Sequence, residues 1–229
     1  MAAFENYPIF IDVGASDGRV WKKWMTIAPD ARVFAFEPAP LNFNPMYNCR
    51  FDYPNVKMFQ TAVSSVDNTE TPFYISNDKN SSSLHPYNGE SIRKWKYPPG
   101  RRLFKTDSVV NVPTMRLDTL IKKEHIRYVD YLKIDVQGHE LEVLKGLGNS
   151  ITKVREIQVA ATLTPFDLHQ GQTNQSDTIM KFMTDNAFTL FKQERLSRNQ
   201  EVDYWFVNTR FSKILKNKFY HFSGDAPSP

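Results

Sequence analysis

The chain has 229 residues, of which 41% are hydrophobic, 24% charged and 14% aromatic; this suits one large domain with its own core and excludes a disordered or fibrous protein. Its single cysteine, Cys49, excludes a disulfide framework and a cysteine-based zinc site, and fits a reducing compartment. The formal net charge is +4, with Arg93, Lys94, Lys96, Arg101, Arg102 and Lys105 crowded into one stretch; with no RNA-binding motif beside it, that stretch reads as a solvated loop in preference to a nucleic-acid footprint.

Residues 1–6 lack the charged and apolar regions of a signal peptide. No apolar run approaches the ~20 residues of a membrane span, so the expectation is a cytoplasmic protein. In chain order, residues 8–13 read as a buried strand and 17–28 as a helix that Pro29 stops. A second strand at 32–37 and a helix at 40–49 follow, with Pro40 suited to the first helical turn. Residues 55–63 read as a third strand and 71–76 as an added antiparallel one. Residues 77–105 hold Ser81, Ser82, Ser83, Pro86, Gly89, Pro98, Pro99 and Gly100 without a steady period, which predicts a lid or binding loop inserted in the domain.

Order resumes with strands at 108–114, 128–135 and 154–161, separated by helices at 117–125 and 138–146. A helix at 176–186 and two successive strands, 189–194 and 202–207, close the core, and 223–229 read as a flexible tail. The alternation predicts one α/β domain over 1–222. It is Rossmann-like, with a mostly parallel seven-stranded sheet, one antiparallel edge strand and helices on both faces.

In such a sheet, ligands sit beyond the carboxyl ends of the strands, at the switch point. The first strand ends in Asp12-Val13-Gly14-Ala15-Ser16-Asp17-Gly18. Gly14 allows a sharp turn and a close backbone approach, and Gly18 permits close packing of the following helix. Asp12 stands where a dinucleotide-binding turn would carry its first glycine. A carboxylate at a buried strand end needs a partner. The ammonium and sulfonium of S-adenosylmethionine, which has no phosphate, would complement it. Glu37 ends the second strand, 19 residues beyond Gly18, where an acid accepts hydrogen bonds from ribose hydroxyls.

Several blocks carry a resemblance beyond this pattern: Phe10-Ile11-Asp12-Val13-Gly14-Ala15, Val33-Phe34-Ala35-Phe36-Glu37-Pro38, Ala62-Val63-Ser64, Ser82-Ser83-Leu84, Met115-Arg116-Leu117-Asp118-Thr119-Leu120 and Leu132-Lys133-Ile134-Asp135-Val136-Gln137-Gly138-His139-Glu140. In this order, over residues 9–161, the chain resembles the FkbM family of methyltransferases. The resemblance implies a class I methyltransferase fold and O-methylation, often of sugars or polyketide-type hydroxyls. It also implies that Asp12, Gly14, Glu37, Ala62, Val63 and Asp135 surround the cofactor; Ala15, Ser16, Gly18 and Pro38, in the same turns, are further candidate cofactor-binding residues. Gln137 departs from the family's usual Glu, and His139 stands where a small residue is common.

An alcohol is a poor nucleophile, so a base or a metal should help remove its proton. Asp135, at the end of the fourth core strand, can take that proton, orient the acceptor or hold the methionine ammonium. His139, in the first turn of the next helix, is a second candidate base. Asp135 with Asp167 and His169 would offer ligands for a divalent Mg or Mn ion. In the 77–105 stretch, Tyr87, Trp95 and Tyr97 are candidate sugar-stacking rings, and Arg93, Arg101 and Arg102 candidate anion contacts. The expected partner is a small-molecule or glycan acceptor. RNA ribose 2'-O-methylation and a non-catalytic S-adenosylmethionine-binding module are the competing readings, and the oligomeric state is left open.

Overall fold

The computed structural model describes residues 7–97, 100 and 103–211. The expected elements over 98–99 and 101–102 and the tail at 223–229, Arg101 and Arg102 among them, lie outside the described residues.

Strands β1 (Ile9–Val13), β2 (Arg32–Phe36), β3 (Val56–Phe59), β7 (Val129–Ile134), β8 (Val154–Thr162), β9 (Phe188–Leu196) and β10 (Glu201–Asn208) form a seven-stranded sheet, in the order β3-β2-β1-β7-β8-β10-β9. Five neighbours run parallel, from β3 through β8. The antiparallel character expected at one edge comes from β10, which slots between β8 and the edge strand β9 and runs against both. Strands β4 (Ala62–Val63), β5 (Glu70–Ser76) and β6 (Thr106–Met115) make a separate three-stranded sheet.

Alternation along the strands sends their side chains into two cores. Ile9, Ile11 and Val13 of β1 pack in one, with Leu117, Leu120, Val143, Leu144 and Ile179 from helices α4 (Leu117–Lys123), α5 (Glu140–Lys145) and α6 (Ser176–Asp185). Phe10 turns to the other, with Trp21 and Trp24 of α1 (Arg19–Ile27) and Phe43 and Met46 of α2 (Pro40–Asn48). The sheet is thus covered on both faces, as the near-continuous apolar strands require.

Two expectations change. The single strand expected over 55–63 breaks at Gln60 and Thr61: Val56–Phe59 stays with β2, while Ala62 and Val63 pair with Thr114 and Met115 of the second sheet. The 77–105 stretch is not all loop. A six-residue helix, α3 (Gly89–Lys94), is started by Asn88, whose side chain accepts from the Glu90 and Ser91 amides. A helix this short leaves no readable period in sequence.

Candidate active site

The switch point lies between β1 and β7, and the turn after β1 is built against the end of β7. Gly14 has φ 79°, and a Cβ on it would fall 1.8 Å from the Asp135 carbonyl oxygen, so the close approach that demands glycine is to the protein's own backbone. The amides of Gly14 and Ala15 both donate to the Phe36 carbonyl, which fixes the turn to β2. Gly18, at φ 79°, caps α1, and a Cβ there would strike the Trp21 ring at 2.6 Å.

Glu37 is 5% exposed, and its carboxylate accepts from the Ser16 amide at 2.8 Å and the Ala39 amide at 2.9 Å. Burial raises its pKa from 4.5 to about 7, against the pull of those two amides. The sign of the resulting pH dependence is fixed. Native Glu37 keeps its proton up to about pH 7 and the unfolded chain loses it near 4.5, so this group's contribution to stability fades as pH rises between those values. A ligand that donates to the carboxylate favours the ionised form. Affinity for S-adenosylmethionine is therefore expected to tighten from pH 6 to pH 8, approaching about tenfold per unit below the pKa. Calorimetric titration across that range checks this, and the Glu37→Gln variant should bind more weakly with a flat profile.

Asp12 is fully buried beneath the turn, and the partner it needs is Lys133 of β7, whose Nζ lies 3.3 Å from Asp12 Oδ1 and 3.7 Å from Asp135 Oδ2. The same ammonium donates to the Gly14 carbonyl at 3.0 Å. Burial opposes the charge on Lys133, but the Asp12 and Asp135 carboxylates outweigh it and hold its pKa above the ordinary lysine range. The cationic partner expected from a ligand is thus supplied by the chain, and Asp12 supports the turn from below instead of facing the cofactor space. Lys133 stood in the sequence between two apolar residues of a buried strand, a position where a charge signals a buried counter-ion.

Beyond β7 the backbone is pinned by Glu140. This fully buried side chain accepts from the amides of Val136 and Gly138, both at 3.0 Å. Burial and the neighbouring Asp135 charge raise its pKa to about 8, those amides pulling the other way. Gln137 sits at φ 59° between them, and its Nε2 donates to Asp135 Oδ1 at 2.8 Å. Where the resembled family has a second acid, this chain therefore has an amide that orients the first. Ser83 Oγ donates to the Gln137 carbonyl at 2.6 Å, bringing the 77–105 segment onto the same loop.

His139 has both ring nitrogens engaged: Nε2 with Ser64 Oγ at 3.0 Å and Nδ1 with His85 Nε2 at 3.0 Å. Burial, and then His85, lower its pKa to about 4, so it is neutral at physiological pH. The geometry makes it part of a half-buried polar chain from Ser64 to His85, with both ring nitrogens already engaged. His85 carried no sequence signal, because it meets His139 only through folding.

A cavity of about 290 Å³ opens over these strand ends. Its wall includes Gly14, Ala15, Ser16, Glu37, Pro38, Ala62, Val63, Asp135 and His139, while Asp12 and Gly18 stand behind it. Lys79 and Asn80 of the 77–105 segment also line it, and Ser16 Oγ donates to Asn80 Oδ1 at 2.9 Å. A second cavity, of about 430 Å³, adjoins the first and shares Asn80, Asp135 and Gln137 with it.

The three side chains expected to gather around a metal do not do so. Asp167 accepts from Gln172 and Gln175. The His169 ring is buried and stacked on Tyr87 at 4.8 Å, and burial lowers its pKa to about 3. Among the described residues no group of three or more His, Cys, Asp or Glu is placed to hold a metal ion. Of the expected sugar-stacking rings, Tyr87 stacks on Phe104 and His169, and Trp95 is buried in a cluster with Phe104 and Leu168. Trp95, Tyr97 and Phe104 of this cluster also line the second cavity. Arg93, Lys94 and Lys96 are exposed, and Lys105 pairs with Asp107. No helix among the described residues is long and apolar enough to cross a membrane.

A parallel sheet with one reversed strand, an acid at the end of β2 and a glycine turn packed against β7 together define a class I S-adenosylmethionine-dependent methyltransferase. Fibrillarin from Aeropyrum pernix, solved with natively bound S-adenosyl-L-methionine, shares the fold at a TM-score of 0.50 and 12% identity, covering 89% of this chain and 67% of that one. Residues 12–190 match the model of the methyltransferase FkbM domain, and the chain belongs to the FkbM methyltransferase family. Similar proteins include the 2-O-methyltransferase NoeI of Sinorhizobium fredii, 27% identical over 72% of this chain and 67% of its own length. The methyltransferase sdnD of Sordaria araneosa is 29% identical over 64% of this chain and 63% of its own length. The hexuronic acid methyltransferase AglP of Haloferax volcanii is 27% identical over 42% of this chain and 41% of its own length.

Proposed function

We propose that this enzyme methylates a hydroxyl of a carbohydrate or similar small polyhydroxy compound, with the acceptor's proton passing to Asp135. The observation that carries this reading is the position of Asp135 on the wall shared by two adjoining cavities. In the first, Glu37 is the acceptor for ribose hydroxyls, and Gly14, Ala15, Ser16, Pro38, Ala62 and Val63 shape the remaining wall. Bound S-adenosylmethionine supplies an electrophilic methyl group on a sulfonium. The chain's own task is to align the hydroxyl oxygen and accept its proton. Gln137 fixes the carboxylate through Oδ1, and Lys133 near Oδ2 opposes its charge, so the Asp135 carboxylate is oriented before the acceptor arrives.

The name of NoeI, a 2-O-methyltransferase, supports an oxygen as the methyl acceptor, and that of AglP, a hexuronic acid methyltransferase, supports a sugar as the acceptor class. We assign residues 77–105 the part of an acceptor-side lid, and a reducing, cytoplasmic setting fits the single thiol of Cys49. Incubation with methyl-labelled S-adenosylmethionine and a panel of oligosaccharides and RNAs tests the reading. Label is expected on sugars and not on RNA; transfer to RNA ribose instead, or binding of the cofactor without transfer to any member, overturns it.

A further inference from the structure

The second cavity contains charge that the proposed chemistry does not use. Its acids are already engaged: Asp135 with Gln137 and Lys133, and Glu201 with Ser197 and further contacts. Its cations, Lys96 and Arg198, have no carboxylate partner among the described residues, and Lys96 Nζ only overlies the Phe166 ring at 5.4 Å. The cavity therefore presents two cations without a carboxylate partner among the described residues, on the same wall as the Asp135 and Glu201 carboxylates.

Arg198 is held there at a conformational cost. Ser197, Arg198 and Asn199, at the turn between β9 and β10, have φ of 48°, 59° and 65°. Three successive non-glycine residues in the left-handed region are strained, and such strain persists only where the surroundings enforce it. The enforcing residue is Gln200, which is fully buried. Its Oε1 accepts from the Lys96 amide at 2.7 Å, and its Nε2 donates to the carbonyls of Lys96 and Ser197 at 3.2 and 2.8 Å. One side chain thus ties the backbone of the strained turn to the backbone of Lys96 in the 77–105 segment, and the exposed Lys96 and Arg198 both lie on the rim of one cavity. The fork of an arginine matches a carboxylate through two parallel hydrogen bonds.

We propose that the second cavity is the acceptor subsite and that Arg198, with Lys96, selects acceptors carrying a carboxylate, such as a uronic acid residue. This rests on the sugar reading above and deepens it. Binding and turnover are measured separately. The protein saturated with S-adenosylhomocysteine is titrated with oligosaccharides of hexuronic acid and with the same oligosaccharides after reduction of the carboxyl group to an alcohol. The acidic form is expected to bind about tenfold tighter or more, as charge-assisted pairing implies. Arg198→Ala should erase that preference while leaving the neutral form and cofactor affinity unchanged, and Arg198→Lys should restore part of it. Equal affinity for the two forms, or a preference that survives Arg198→Ala, overturns the proposal and leaves the sugar reading intact. Acidic sugars that bind with this preference yet receive no methyl group would instead overturn the sugar reading.

Discussion

Asp135→Asn is expected to slow methyl transfer by about 10²–10⁴-fold, the range typical of a lost general base, while the affinity for S-adenosylmethionine changes only a few fold. The amide keeps the size of the carboxylate and can still accept from Gln137 Nε2, which lies 2.8 Å from Oδ1 in the native protein. What it loses is the ability to take a proton from the acceptor. The position is suited to this role because the side chain is 42% exposed on the wall common to both cavities, whereas Asp12 and Glu140 are fully buried. Single-turnover rates give the first quantity and calorimetry the second. A large loss of cofactor affinity with an unchanged rate would reassign Asp135 to the methionine ammonium. His139→Ala makes the contrast: with both ring nitrogens engaged by Ser64 and His85, its removal should cost rate less than Asp135→Asn does.

Lys133→Met is expected to destabilise the protein by about 3–5 kcal/mol, the usual consequence of removing one partner from a buried ion pair. Asp12 would remain, fully buried, without the ammonium 3.3 Å from its Oδ1, and the Gly14 carbonyl would lose its donor. The double variant Asp12→Asn with Lys133→Met should recover most of the loss, because no uncompensated charge remains. Denaturant unfolding of the cofactor-free protein measures both. A single variant within about 1 kcal/mol of the native protein would show that the pair contributes little. The same pair links stability to function, since Lys133 ties the end of β1 to the end of β7, between which the cofactor cavity opens.

Much of the backbone frame around the proposed site was legible in sequence because its signals are local. Gly14 and Gly18 read as turn and packing residues from the chain alone, and both have φ of 79°. Glu37 falls at a strand end because the apolar run before it has a definite length. The apolar β1, β2 and β7 are recognisable since parallel strands covered on both faces are hydrophobic throughout. Where the reading fell short, a partner distant in sequence decided the outcome. The strand expected over 55–63 splits because β6 captures Ala62 and Val63. Tyr87 packs on Phe104 and His169, while Trp95 and Tyr97 cluster with Phe104 on the wall of the second cavity, and residue type alone does not separate these placements.

The sequence by itself determined the class of fold, the glycine turn after β1, and the acids Glu37 and Asp135 that follow two strands and line one cavity. Each follows from periodicity or from a residue at a strand end. Only the tertiary structure decided that Asp12 is neutralised by Lys133 across 121 positions of chain, and that His139 is bound by Ser64 and His85. It also decided that Gln200 clamps a strained turn onto Lys96 beside a second cavity. These contacts are set by the register between strands and by loops meeting over the sheet edge, and no local spacing encodes them.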